Sequence, residues 1–489
     1  MTHLYLGGNN SQQHITLRYA NRHGIIAGAT GTGKTVTLQG MAEAFSMAGV
    51  PVFIADIKGD ISGMARAGEE KPAFKKRADD LGITPSYRPF PVIFWDVYGE
   101  QGHPVRTTMS EMGPVLLARL LELNDTQTGV LQVVFAVADA EGLLLIDMDD
   151  LRAMLLHLSE NASTYSARYG NVSAASVAAI QRSLLTLEQA GGKHFFGEPA
   201  LEVSEFIRLA PNGEGAVNIL AADKLMQSPK LYATFMLWML SELFEELPEI
   251  GDVEKPKLVF FFDEAHLLFD DAPKALVDKI EQLVRLIRSK GVGVYFVTQN
   301  PADVPDAILG QLAHRIQHAL RAYTPADQKM LKAAAQSFRA NAAFDTEEVI
   351  TQLAVGEALV SVLEEGGVPS VVQRCLMRPV SSRVGAITSQ ERAEMLKMSP
   401  IAGVYEEALN RESASEMLQT RMQQPRTESD NLWGTSARAP LPKPPSKAKA
   451  APRPTASLGE QIAKQVIREV GTTVTKQLVR GILGALLKR

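Results

Sequence analysis

Gly28-Ala29-Thr30-Gly31-Thr32-Gly33-Lys34-Thr35 fits the spacing G-x-x-x-x-G-K-[ST] at every fixed position. The flanks suit it. Gly24-Ile25-Ile26-Ala27 reads as a buried strand running into the glycines, and Val36 to Phe45 reads as the helix leaving them. Glycines there let backbone N–H groups curl around phosphate oxygens, and a helix N-terminus adds positive potential. On this reading Gly28, Ala29, Thr30, Gly31, Thr32 and Gly33 cradle the phosphates. Lys34 reaches the β- and γ-phosphates, and the Thr35 hydroxyl ligates Mg²⁺. A chance glycine turn is the plainer alternative.

A second acidic element lies far downstream. Leu258-Val259-Phe260-Phe261-Phe262 is a continuous apolar run ending in Asp263-Glu264-Ala265-His266. Such a run suits a central strand covered on both faces. Carboxylates at its C-terminal end fall where open α/β sheets bind ligands. Asp263 is expected to hold Mg²⁺, directly or through water, and Glu264 to orient and deprotonate an attacking water. An Asp-Glu pair also caps a following helix in many proteins. His266 suits either coupling to a partner or capping.

Composition bounds the class. The chain has 489 residues, 45% of them hydrophobic, which suits more than one structural unit with a sizeable core. No apolar run reaches the length of a membrane span, and Met1-Thr2-His3 opens no signal peptide. Cys375 is the only cysteine, which excludes a disulfide framework and suits the reducing cytoplasm. The net charge of −5 hides an asymmetry. Residues 431–489 carry eleven Lys/Arg and two acids, so the remaining chain has 39 basic and 53 acidic residues. A basic tail on an acidic body can meet nucleic acid, acidic lipid or the protein's own surface, or can simply be a solvated linker.

The pattern along the chain is α/β with a largely parallel sheet and divides into five stretches. Residues 1–104 form the first part of the core. Val52-Phe53-Ile54-Ala55 reads as a second buried strand ending in Asp56-Ile57-Lys58-Gly59-Asp60, and Val92-Ile93-Phe94-Trp95 as a third ending at Asp96. Residues 105–250 read as a helical insertion. Residues 251–423 resume the β-α pattern, with Val292 to Val297 as another core strand. Residues 424–457, rich in Pro, Ala, Ser and Lys, read as a flexible linker. Residues 458–489 place Ile462, Val466, Val470, Val474, Leu478, Ile482 and Leu486 on one stripe flanked by Lys464, Arg468, Lys476 and Arg480. That is a basic amphipathic helix, weakened by three glycines. It suits docking on its own or a neighbouring subunit, or contact with membrane or nucleic acid.

Two features separate kinds of phosphate-loop enzyme. Val297-Thr298-Gln299-Asn300 ends a strand, and the Gln299 amide there can sense a γ-phosphate and its attacking water, or be only a strand-end turn. The helix before that strand ends near Arg285 and Arg288. An arginine at an assembly interface can reach a neighbour's γ-phosphate, whereas arginines at a helix C-terminus are also ordinary helix chemistry.

Taken together these motifs resemble the HerA–FtsK family of ring-forming P-loop motor ATPases, in the HerA-like branch. The matching pieces are Ile26 to Thr35, Asp56-Ile57-Lys58-Gly59-Asp60, Phe262-Asp263-Glu264-Ala265-His266, and Arg288-Ser289-Lys290-Gly291-Val292 leading to Thr298-Gln299-Asn300. Gly99 to Arg106 and Leu123-Asn124-Asp125-Thr126-Gln127 further resemble the bacterial YjgR-type subgroup. The motifs cover roughly residues 5–385; the tail lies outside them. The resemblance implies a RecA-like P-loop NTPase core, ATP with Mg²⁺, a homo-hexamer and ATP-driven translocation of DNA. It favours Arg288 as the inter-subunit finger, places Asp56 near Mg²⁺, and makes Arg22 a weaker second interface arginine. The β piece before Gly24 is short, and neither a separate β-barrel docking domain, a winged-helix DNA reader nor a membrane anchor is read in the chain.

Three functions stay open on the sequence. One is a DNA-translocating or helicase-like ATPase, with a nuclease or other protein as partner. A second is a nucleotide switch acting on a protein or membrane partner without DNA translocation. A third, a metabolic kinase, is disfavoured by the wide separation of Lys34 from Asp263 and by the candidate finger.

Overall fold

Short apolar runs, each too brief for a helix, become the strands of one sheet. The computed structural model describes residues 2–9, 11–251, 253–269 and 274–423. In chain order the strands are β1 (His3–Gly8), β2 (Gln12–Thr16), β3 (Gly24–Ala27), β4 (Val52–Asp56), β5 (Val92–Asp96), β6 (His103–Pro104), β7 (Val217–Ala221), β8 (Leu258–Phe262), β9 (Val292–Thr298), β10 (His314–Gln317), β11 (Glu357–Ser361) and β12 (Gln373–Met377). Their order across the sheet is β2-β1-β12-β11-β10-β3-β9-β8-β4-β7-β5-β6. Every neighbouring pair from β10 to β6 is parallel; β10-β11, β11-β12, β12-β1 and β1-β2 are antiparallel.

The parallel part is covered on both faces, which is why its central strands β3, β4, β5, β8 and β9 are apolar almost to their ends. Phe260 and Phe262 of β8 join one core with Phe53, Trp95 and Phe296. Val259 and Phe261 point the other way, into a second core with Ile54, Phe94 and Val297. The helix Lys34–Met47 adds Leu38, Met41 and Phe45 to this second core. The helices Met109–Leu120, Asp125–Glu141, Met148–Glu160, Ala174–Gln189 and Pro229–Glu246 pack on the first.

The stretch 105–250 departs from the purely helical insertion expected of it. It also carries β7, which lies between β4 and β5 and pairs with both through Val217. The apolar pattern is broken by Asn218, which hides this strand in the sequence. Asn218 is nevertheless fully buried. Its amide donates to the carbonyls of Val52 and Phe206, each at 3.2 Å, and its Oδ1 accepts from the Trp95 indole at 3.0 Å. The polar groups are satisfied internally, so the strand tolerates them.

After β12 the chain turns back over the helix Lys34–Met47. Glu43, on that helix, is wholly buried and accepts from Arg378 Nη2 (2.9 Å), the Ser381 N–H (2.9 Å), the Ser382 N–H (2.8 Å) and the Ser382 hydroxyl (2.6 Å). Further on, Ser413 and Ser415 bind the buried Asp150 carboxylate, and the helix Ala414–Gln423 packs on Met148–Glu160. Among the described residues no helix is long and apolar enough to cross a membrane. The expected linker 424–457 and basic amphipathic helix 458–489 lie outside the described residues.

Glu43→Ala removes the acceptor but leaves Arg378 and two backbone N–H groups buried beside it. The expected cost is about 3 kcal/mol of stability, read as a lowered urea midpoint at unchanged slope. A loss below about 1 kcal/mol would mean that the strap after β12 is not held through this carboxylate.

Candidate active site

Parallel pairing brings the C-terminal ends of β3, β9, β8 and β4 to one edge of the sheet, in that order. The four loops leaving those ends form the site. Gly28, Gly31 and Gly33 leave β3 at φ values of 152°, 77° and 107°. Gly33 is the N-cap of the helix Lys34–Met47. Space also demands glycine: a Cβ on Gly28 would come within 2.5 Å of the His318 side chain, and one on Gly33 within 3.2 Å of the Gly356 backbone.

Neighbouring segments hold the loop in shape. The Gly28 N–H donates to the Thr298 carbonyl (3.3 Å) and the Ala29 N–H to the Ala319 carbonyl (2.8 Å). The Gly356 N–H donates to the Thr32 carbonyl at 2.9 Å, and Arg77 clamps the Val355 and Gly356 carbonyls. Beneath the loop lies His318. Its ring links Thr37 Oγ1 (3.0 Å) to the Glu357 carbonyl (2.8 Å). Burial pushes its pKa down to about 4, so it is neutral. The Glu357 carbonyl can only accept, so Nδ1 carries the proton and Nε2 accepts from the Thr37 hydroxyl.

Lys34 is buried and donates to the carbonyls of Gly28 (2.6 Å) and Ala29 (3.1 Å), the two residues that open the loop. Burial lowers its pKa, against the opposing pull of Glu264 and Asp263. Thr35 is half-buried in the first helical turn.

The acidic pair ends β8. Asp263 and Glu264 are 4% and 5% exposed, so both carboxylates have been taken out of water. Burial, reinforced by Glu264, pushes Asp263 up to about 7. Its Oδ2 is buried with no hydrogen-bond partner. An unpaired carboxylate oxygen beside a phosphate loop fits a hard divalent cation, which takes oxygen ligands. Asp56, at the end of β4, is pushed up to about 7 by burial and then by Asp60 and Asp263. Both its oxygens are engaged within its own loop, accepting from the N–H groups of Gly59 (2.8 Å) and Ile61 (3.1 Å). Asp56 therefore shapes the loop after β4 as well as facing the acidic cluster.

Glu264 has the strongest constraints. Its backbone is left-handed, at φ 46°, an uncommon state for a residue with a side chain. Its Oε1 is ion-paired with Lys58, on the loop after β4. Gln299, just past β9, brings Nε2 to 3.4 Å from Oε2, and His266 Nδ1 lies 3.5 Å from the same oxygen. Burial pushes Glu264 up, but Lys58, with Gln299 and His266, outweighs it and holds the carboxyl below its ordinary value. His266 therefore faces the site carboxylate and makes no side-chain cap to its own short helix. Asn300 makes the turn bond at this strand end, its Oδ1 accepting from the Ala302 N–H at 3.0 Å.

Arg288 is not at this edge. It precedes β9, at the opposite end of the same strand; seven residues at ~3.3 Å each give roughly 20 Å. Its carbonyl accepts from Asn21 at 3.3 Å, and it and Arg22 both bear on the buried His23. Both arginines are half-buried. Arg285 is exposed on the helix Lys274–Ile287.

Lys58 and His318 carried no assignment in the sequence. Lys58 stands 206 positions from Glu264, and no spacing rule links a loop lysine to an acid so far away. His318 follows a strand with no motif around it.

Comparison with known proteins agrees with this architecture. Plasmid coupling protein TrwB in complex with ADP and Mg²⁺ superposes with a TM-score of 0.51 at 16% identity, over 76% of this chain and 88% of that one. TrwB in complex with a non-hydrolysable GTP analogue gives 0.50 at 16% identity, over 76% and 89%. Those likenesses establish the fold, a RecA-like α/β core. A probable helicase of Methanocaldococcus jannaschii, MJECL08, is 30% identical over 154 residues, 29% of this chain; the match spans 28% of that relative's length. The model of the helicase HerA-like C-terminal family matches residues 3–489. With that match along nearly its whole length, on a phosphate loop facing a buried Asp-Glu pair, the chain belongs to the helicase HerA-like C-terminal family.

Proposed function

We propose that this protein is an ATP-hydrolysing motor that assembles into a ring, as a homo-hexamer, and moves along DNA. The observation that carries the reading is the pairing of two edges. The phosphate loop, Asp263, Glu264 and Gln299 share one end of the parallel sheet, while Arg288 and Arg22 share the other. An arginine ~20 Å from its own site serves a neighbour's site more readily than its own. The family membership supports the same reading.

In this mechanism the loop N–H groups and Lys34 hold the phosphates, Lys34 exchanging the Gly28 and Ala29 carbonyls for phosphate oxygens. Thr35 and Asp263 would hold Mg²⁺, with Asp56 behind them. The ion supplies charge neutralisation at the β- and γ-phosphates. Glu264 accepts a proton from water as the water oxygen bonds to the γ-phosphorus and ADP departs with the bonding electrons. Gln299 orients that water and reports the γ-phosphate. Arg288 of an adjacent subunit stabilises the charge that develops.

Glu264→Gln is expected to keep ATP binding and lower kcat by about 100-fold or more, because an amide takes no proton. Lys34→Ala is expected to lose tight nucleotide binding. Wild-type turnover from the Glu264→Gln protein would place the base elsewhere.

Arg288→Ala is expected to retain ATP binding and lose about a thousandfold in kcat. Mixed with the Lys34→Ala protein it regains activity, because some interfaces then pair an intact loop with an intact finger. Verified mixed oligomers that stay inactive would argue against a finger acting between subunits.

For the polymer, ATPase rates with and without duplex or single-stranded DNA decide. A motor gripping phosphates binds DNA with steep salt dependence and turns over faster on it. If neither DNA binds at low salt nor changes the rate, the protein is a nucleotide switch for a protein or membrane partner.

A further inference from the structure

The ion pair between Lys58 and Glu264 is at odds with the role given to Glu264 above. An ammonium group on a carboxylate oxygen occupies one of its lone pairs and stabilises the charged form, which lowers its affinity for a proton from water. Gln299 and His266 approach the other oxygen. The site as it stands therefore engages and weakens its base, and moving Lys58 away would restore the basicity of Glu264.

The two partners are unequal. The Glu264 side chain is 7% exposed, whereas that of Lys58 is 49% exposed. Glu264 is fixed by a left-handed backbone at the end of a buried strand. Lys58 rises from a loop closed by the Asp56 carboxylate, which accepts from the N–H groups of Gly59 and Ile61 just after the lysine. Its stem is thus anchored beside the site, and the side chain stays half-exposed while its ammonium pairs with Glu264. Lysine presents a compact charge on a flexible stem with three rotatable donors, which suits exchange between acceptors. Losing Lys58 leaves the buried Glu264 carboxylate without its counter-charge, so the transfer needs a stronger acceptor for the ammonium. The other cation here, Lys34, is bound by the carbonyls of Gly28 and Ala29. A triphosphate held on the loop would bring an acceptor with more than one negative charge that a diphosphate lacks.

We propose that Lys58 is a γ-phosphate sensor that pairs with Glu264 when no triphosphate is present and transfers to the γ-phosphate of bound ATP, freeing Glu264 to act as base. This rests on the ATPase reading above and adds a positioning residue to it. Hydrolysis then removes the acceptor, Lys58 returns to Glu264, and the ADP-bound site is switched off.

The test is the ratio of two affinities, measured by calorimetry on the full chain with Mg²⁺: ADP and the non-hydrolysable β,γ-imido analogue of ATP. Lys58→Met is expected to weaken the analogue by about tenfold, the scale of one lost charge-assisted hydrogen bond, while leaving ADP unchanged. Lys58→Arg is expected to keep most of the preference for the analogue. Lys58→Gln repeats the neutral test with a polar side chain should Lys58→Met fail to fold. Equal affinities for ADP and analogue changes in the neutral variants, or none at all, would reduce Lys58 to a surface ion pair and overturn the proposal. Failure of the wild-type chain to bind either nucleotide would overturn the ATPase reading itself, and the sensor with it.

Discussion

The apolar strand Leu258–Phe262 is covered on both faces, and it delivers two carboxylates into a region with little water. Everything else at the site answers to that burial. Asp263 keeps one oxygen without a partner, Glu264 takes Lys58 as a counter-charge, and Asp56 satisfies its own oxygens from its loop. Unpaired carboxylates in such a place are expensive. Cations brought by nucleotide would relieve the cost, so the burial that raises Asp263 and Asp56 also gives nucleotide binding an electrostatic lever.

Parallel pairing converts this local chemistry into a division of labour. Because β3, β9, β8 and β4 all point the same way, the turns at their C-terminal ends gather the glycine loop and the acids at one edge, and the turns at their N-terminal ends are left for other contacts. Arg288 and Arg22 occupy the second set. The same strand, β9, therefore links Gln299, proposed above to meet the γ-phosphate, to Arg288, proposed to serve a neighbouring subunit. A rigid buried strand is a suitable element for coupling the two, since it cannot bend without disturbing both cores.

The strap after β12 adds a further connection. Glu43 lies about two turns of helix beyond Lys34 and Thr35, and it is held by Arg378, Ser381 and Ser382. Farther along, the same segment reaches Asp150 and the helical layer. The phosphate-loop helix and the helices of residues 105–250 are thus tied to one stretch of chain.

The sequence by itself determined the phosphate loop, the acidic strand end, the central β strands and the succession of helices between them. Those features are written in local patterns: fixed glycine spacing, short runs apolar at every position, and helical periodicity. The tertiary structure alone decided three things. It placed β7 inside the sheet, because the polar groups of Asn218 are satisfied by Val52, Phe206 and Trp95, none of which its own neighbours reveal. It seated His318 under the loop, where a neutral imidazole bridges Thr37 and the Glu357 carbonyl. And it paired Lys58 with Glu264 across 206 positions of chain. Each depends on contacts between segments far apart in sequence, and hydrogen bonds and ion pairs of that kind leave no periodicity for a linear reading to find.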